Sequence, residues 1–167
     1  MRRPLASTGK IVAAGLALAA LPFVARGLAP IPAAERNRRL IGEAFEAWRE
    51  RRGNIFDLLA DDAEWTIAGT SVAAGTYRGR EDFLAKVIRP FNARLSKPLT
   101  PAVRALYADG DTVVAHWEGE AVADDGLPYR NTYAWFMQIR DGRIVKATAF
   151  FDSLEFDAFW ERVQPKS

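Results

Sequence analysis

Three Asp-Gly pairs, at 109–110, 125–126 and 141–142, recur at a 16-residue spacing through the second half of the chain. Each separates runs rich in aromatic and β-branched residues. A two-residue type I′ hairpin turn needs positive φ at both central positions, and Asp-Gly meets that need with little strain. The runs between the pairs do not resemble one another, so the spacing is hairpin geometry and not a repeat. It predicts an antiparallel meander with strands over residues 99–108, 111–123, 127–140 and 143–152.

Two-residue loops then set the register. At Asp141-Gly142 they oppose Asn131 to Asp152, Tyr133 to Phe150 and Trp135 to Thr148. Alternation puts Asn131, Tyr133, Trp135, Phe150 and Asp152 on one face. The same loop length at Asp125-Gly126 sets His116 against Trp135 and Glu118 against Tyr133, which adds His116 and Glu118 to that face. Ala115, Ala134, Phe136, Ala147 and Ala149 fall on the other. A three-residue bulged loop at Asp124-Asp125-Gly126 would swap the faces of the earlier strand.

Upstream, Leu40, Ile41, Ala44, Phe45 and Trp48 fall at helical spacing, predicting a helix over 33–52 that ends at Gly53. Asn54 can cap a short second helix. Asp61-Asp62 reads as a turn, residues 63–68 as a strand with Trp65 and Ile67 on one face, and 80–95 as a helix that Pro90 kinks or ends. Leu154, Phe156, Phe159 and Trp160 mark a last short helix. Helices followed by a meander give an α+β class. A curved sheet with helices against its concave face leaves a pocket between them, the default place for a ligand.

The formal charge of +2 divides unevenly. Residues 1–34 carry Arg2, Arg3, Lys10 and Arg26 and no acid, so the remainder is 2 − 4 = −2. The folded part therefore offers no basic surface for nucleic acid. There is no cysteine and a single histidine, so thiol chemistry is excluded and neither a usual zinc site nor any other metal or cofactor is expected. Residues 11–25 are uncharged and rich in Ala and Leu after a basic start, the pattern of a secretory signal peptide. As a helix this run would span roughly 22 Å, short of a ~30 Å hydrocarbon core. The expected layout is a leader over 1–27, an extended linker over 28–34, a domain over 35–163 and a polar tail over 164–167. The protein is expected to be exported, to the periplasm or beyond, and to touch the membrane only if the leader stays attached.

Four stretches carry a family resemblance: Phe56-Asp-Leu-Leu-Ala-Asp-Asp-Ala-Glu-Trp65, Gly75-Thr-Tyr-Arg-Gly-Arg-Glu-Asp-Phe83, Arg140-Asp-Gly-Arg-Ile-Val145 and Phe151-Asp-Ser153. In order and content they resemble the SnoaL-like proteins of the nuclear transport factor 2-like (ketosteroid isomerase-like) superfamily, over about residues 36–163. The resemblance implies a cone-shaped curved sheet, a four-stranded meander plus one N-terminal strand, with three helices on its concave face. It also implies a homodimer through the outer sheet face. The pocket, in different members, isomerises, cyclises, dehydrates or hydrolyses small molecules, or only binds them; fold alone does not choose. Asp152 matches the acid/base aspartate of the SnoaL-like cyclases. The steroid isomerase branch needs a base just after the first strand, where this chain has Trp65-Thr-Ile-Ala-Gly-Thr-Ser71, and a tyrosine on the first helix, where it has Ala44 and Phe45.

Two functional readings follow. In the first, a cofactor-free acid/base enzyme acts on a small apolar carbonyl compound, with Asp152 as proton shuttle, His116 assisting, and Trp65, Asn131, Tyr133 and Trp135 holding the ligand. In the second, the same pocket only binds a hydrophobic ligand or the domain serves as a dimeric interaction module. Asp152-Ser153 also suits the N-cap of the last helix.

Overall fold

The computed structural model describes residues 31–165. Helix α1 (Ala33–Arg49) leads through a 3₁₀ turn (Ile55–Leu58) to β1 (Leu59–Ile67) and a short β2 (Gly75–Arg78). A continuous helical run follows: α2 (Arg80–Phe83), a π-turn (Leu84–Ile88) and α3 (Arg89–Asn92). Then come β3 (Leu95–Asp109), β4 (Thr112–Ala123), β5 (Pro128–Arg140), β6 (Arg143–Phe151) and helix α4 (Ser153–Arg162). The leader over 1–27, residues 28–30 of the linker and the last two residues lie outside the described part, while Ala33 and Ala34 of the expected linker already belong to α1. Among the described residues no helix is long and apolar enough to cross a membrane.

The strands form one sheet in the order β2-β1-β6-β5-β4-β3, antiparallel except for the β1–β6 pair. This is the expected α+β cone: a curved, unclosed sheet with the helices against its inner face. It has two differences. β2 was assigned to no element, and it closes against β1 through Trp65–Tyr77 and Thr66–Thr76 pairs. Asp61 and Asp62 lie within β1 as exposed residues instead of breaking the chain, at an irregularity between Leu59 and Glu64. Asn54 caps the 3₁₀ turn as expected: its side chain accepts from Phe56 N, and the Asp57 carboxylate accepts from Asn54 N. Pro90, which has no N–H to donate, sits just after the π-turn, where the α-helical ladder is already interrupted.

The hairpin loops correct the register. At Asp141-Gly142 both residues have positive φ, 51° and 72°, and Arg140 pairs with Arg143, so the two-residue turn is as expected. A bulge between the Ile139–Ile144 and Gln138–Lys146 pairs then shifts β6 by one. Tyr133 therefore opposes Phe151, not Phe150, and Trp135 opposes Ala149, not Thr148. The middle hairpin uses the three-residue loop. Ala123 N donates to Leu127 O at 2.9 Å, Gly126 has φ 84°, and Leu127 N donates to the Asp125 carboxylate. His116 consequently pairs with Ala134, and Trp117 with Tyr133.

Both shifts flip side chains across the sheet, because the strand period is two. His116 and Phe150 turn outward, beside Phe136, which lies on that face as expected, while Ala115, Trp117, Ala147 and Ala149 are buried inside. The alanines have a use there. Trp65 on β1 and Trp135 on β5 flank β6 at Ala147 and Ala149, and the two indoles meet edge to face at 5.0 Å across that strand. Larger residues on β6 would fill the space the indoles take.

Candidate functional site

The inner face of the sheet and the helices enclose a cavity of about 450 Å³. Its floor is Trp65, Trp117, Tyr133 and Trp135, with Ala149 and Phe151 from β6. Trp48 and Phe56 close one side, from the end of α1 and the 3₁₀ turn. Phe83, Val87 and Phe91 close another from the helical run, and Leu95, Pro98 and Leu99 come from the start of β3. The rings pack on each other in specific geometries. Tyr133 stacks on Trp117 with centroids 4.0 Å apart, Trp65 stacks on Phe83 at 4.6 Å, and Trp117 meets Trp135 at 4.7 Å. Gly119 makes this wall possible. A Cβ there would lie 2.9 Å from Leu99 Cδ1 and 3.1 Å from both Trp117 Cζ3 and Tyr133 Cε2.

A hydrogen-bonded chain runs behind the wall. The Tyr129 and Tyr133 hydroxyls are 2.8 Å apart. Asn131 Nδ2 donates to the Tyr129 hydroxyl at 3.1 Å and to Asp152 O at 2.9 Å, while Asp152 N donates to Asn131 Oδ1 at 2.9 Å. Burial pushes the Tyr129 hydroxyl up to about 12, and burial also holds Tyr133 well above the usual phenol range. Both hydroxyls are protonated at neutral pH.

The six expected site residues thus separate. Trp65, Tyr133 and Trp135 line the cavity. Asn131 is buried beside it and touches Asp152, though through the Asp152 backbone. The Asp152 side chain is exposed and caps α4, its Oδ1 accepting from Leu154 N at 3.0 Å and Glu155 N at 3.3 Å. His116 is exposed on the outer face. The expected facing of His116 and Glu118 is therefore corrected; Glu118 ion-pairs with Arg104 on that outer side. Trp117 was missed because the two-residue loop sends it outward. The double aspartate before Gly126 was the available sign of the longer loop. Among the residues lining the cavity the only full charge is Arg51, whose guanidinium donates to Pro98 O, Leu99 O and Thr100 Oγ1. Among the described residues no cluster of three or more acids or histidines could hold a metal ion.

A half-open α+β cone with one aromatic cavity between sheet and helices defines a small-molecule pocket domain of the nuclear transport factor 2-like fold. The SnoaL-like domain family matches residues 41–147, and the chain belongs to that family, whose members include polyketide cyclases and ketosteroid isomerases. No curated protein matches. Among solved structures, Bal32a from a soil-derived mobile gene cassette is similar at 20% identity, covering 77% of this chain and 98% of its own, with a TM-score of 0.64. An NTF2-like protein of unknown function from Burkholderia pseudomallei matches at 21% identity over 74% and 95%, TM-score 0.62. A loop-truncation variant of IdmH matches at 26% over 73% and 97%, TM-score 0.59.

Proposed function

We propose that this domain is a binding protein for a small, flat, largely apolar molecule, held in the aromatic cavity without being transformed. The observation that carries this is the lining. It is mainly aromatic and aliphatic, with Arg51, Asn54 and Asn92 as its charged and amide side chains, and it contains no carboxylate and no imidazole. At about 450 Å³ the cavity is three times the roughly 150 Å³ that takes up benzene and lies within the ordinary range for ligands. An acid/base enzyme must set a proton acceptor within hydrogen-bond reach of the substrate. Asp152 holds two helix N–H groups at the surface instead.

The enzyme reading keeps one supporting feature. The Asn131–Tyr129–Tyr133 chain could polarise a carbonyl through the Tyr133 hydroxyl. Asp152→Asn separates the two readings cleanly, because asparagine caps a helix about as well as aspartate. Quenching of tryptophan fluorescence by 2-acetylnaphthalene should saturate at one site and be unchanged in Asp152→Asn. Turnover of a carbonyl compound by the wild type that Asp152→Asn abolishes would sink the binding reading. So would failure of every apolar probe to bind.

The reading extends to setting and assembly. An export signal in the first residues would place the pocket outside the cytoplasm, where ligand capture needs no carrier-bound substrate. A homodimer through the outer face is supported by Phe136 and Phe150, which meet at 5.9 Å and are 44% and 48% exposed. Sedimentation of wild type against a Phe136→Glu/Phe150→Glu double variant tests it; dimers in both would refute that face.

A further inference from the structure

Helix α1 ends in a turn that ordinarily takes glycine. Arg51 N donates to Trp48 O at 3.0 Å and Arg52 N to Ala47 O at 2.8 Å, the paired bonds of a Schellman motif. That motif needs one left-handed residue, and here it is Arg51, at φ 62°. A side chain is strained in that conformation. Gly53, two residues on, does not take it. The turn directs the Arg51 guanidinium across to the start of β3, where it donates to Thr100 Oγ1 at 2.8 Å, Pro98 O at 3.0 Å and Leu99 O at 3.4 Å. This part of β3 is poorly laddered. Its pairing with β4 shifts register between Leu95 and Lys97 and again between Lys97 and Thr100, and Pro98 has no N–H to give. The same place is where the cavity reaches the surface. Of the residues lining it only Arg51, Gly53, Asn92 and Pro98 are exposed, and they come from the end of α1, from α3 and from the start of β3.

We infer that Arg51 is a latch: its guanidinium holds the first residues of β3 across the mouth of the cavity, and a ligand enters and leaves when those hydrogen bonds open. The inference goes beyond the binding reading above, and only the ligand arm of its test rests on that reading. The latch is closed in the free and the occupied protein alike. Breaking it therefore lowers the barrier to entry and to exit together.

In stopped-flow quenching of tryptophan fluorescence by 2-acetylnaphthalene, Arg51→Gly in the full chain should raise the association and dissociation rate constants together, each at least about fivefold. Glycine suits the left-handed position, so this variant should fold as well as the wild type. Thr100→Val breaks the latch from the far side, at a residue outside the cavity lining. It should speed both steps by a smaller factor and leave the Kd within about twofold of wild type. A second arm needs no ligand. Trp48, Trp65, Trp117 and Trp135 are buried and line the cavity, so quenching by acrylamide reports how readily the mouth opens. Its Stern–Volmer constant should rise at least about twofold in Arg51→Gly. It should not rise in Asp141→Gly, the same exchange at the other left-handed non-glycine among the described residues, which lies outside the cavity lining. Rates that stay at wild-type values in both latch variants, or acrylamide quenching that does not respond to Arg51→Gly, overturn the inference and leave the binding reading standing. Faster dissociation with unchanged association in Arg51→Gly also overturns it, because Arg51 would then hold the ligand and not the mouth. If the probe does not bind the wild type, the binding reading fails, and the acrylamide comparison alone decides the latch.

Discussion

Gly119→Ala is the smallest change that should register in the cavity wall. The added methyl would sit 2.9 Å from Leu99 Cδ1 and 3.1 Å from ring atoms of Trp117 and Tyr133. Carbon atoms pack best at about 3.5–4.0 Å, so the three neighbours must give roughly 0.4–0.6 Å. None has free room: Leu99 is 7% exposed, Trp117 0% and Tyr133 6%, and the two rings are already stacked at 4.0 Å. Overpacking of this kind costs about 1–3 kcal/mol. Removing a glycine returns about 0.4–1 kcal/mol through the unfolded chain. The net loss is about 1–2 kcal/mol, a fall in Tm of about 3–10 °C for a domain of this size. Thermal and urea denaturation measure it. Probe affinity should drop as well, since the displaced side chains line the cavity. A double-mutant cycle with Leu99→Ala should show at least ~0.5 kcal/mol of coupling, because the methyl can move into the space that leucine leaves. A Tm within ~1 °C of wild type, with unchanged affinity and no coupling, would refute the claim that this glycine makes the wall.

Three further changes follow from the polar chain and the cap. Asn131→Leu removes three hydrogen bonds, to the Tyr129 hydroxyl and to both backbone groups of Asp152, and should cost about 2–4 kcal/mol in urea denaturation; a loss under ~1 kcal/mol would mean water replaces the amide without penalty. Tyr129, raised to about 12 from an ordinary value near 10, contributes fully below pH 10. Between pH 10 and 12 the unfolded chain ionises first, so stability should fall by about 1.4 kcal/mol per pH unit from this group, and the slope should lessen in Tyr129→Phe; an identical slope in that variant contradicts the burial argument. Asp152→Ala should lose about 1 kcal/mol and Asp152→Asn almost nothing, as for an N-cap; equal losses would point to a role for the charge itself.

Much of the architecture was legible because its signals are local. Asp141-Gly142 demands positive φ and makes a tight turn wherever it is placed. Asn54 and Asp57 form their capping box within four residues. The inward face of β5, with Asn131, Tyr133 and Trp135, follows from simple alternation, and so does the pairing of Trp65 with Ile67 on β1. The α+β class needs no more than the order of these pieces.

What local signals could not supply was the count of residues across each hairpin. One extra residue in the Asp124–Gly126 loop turned His116 out and Trp117 in. One bulged residue, Val145, turned Phe150 out and Ala149 in. Each decision is settled by which side chains can share the space under the helices: an indole over alanine fits, while a histidine over a tryptophan there does not serve a dry wall. The sequence by itself determined β1 and the four strands of the meander, the tight turn at Asp141-Gly142, the Asn54 cap and the family. Only the tertiary structure decided which face each strand shows and that Asp152 caps a helix outside the cavity. Burial acts on the whole sheet at once, and a single residue in a loop moves every side chain beyond it to the other face.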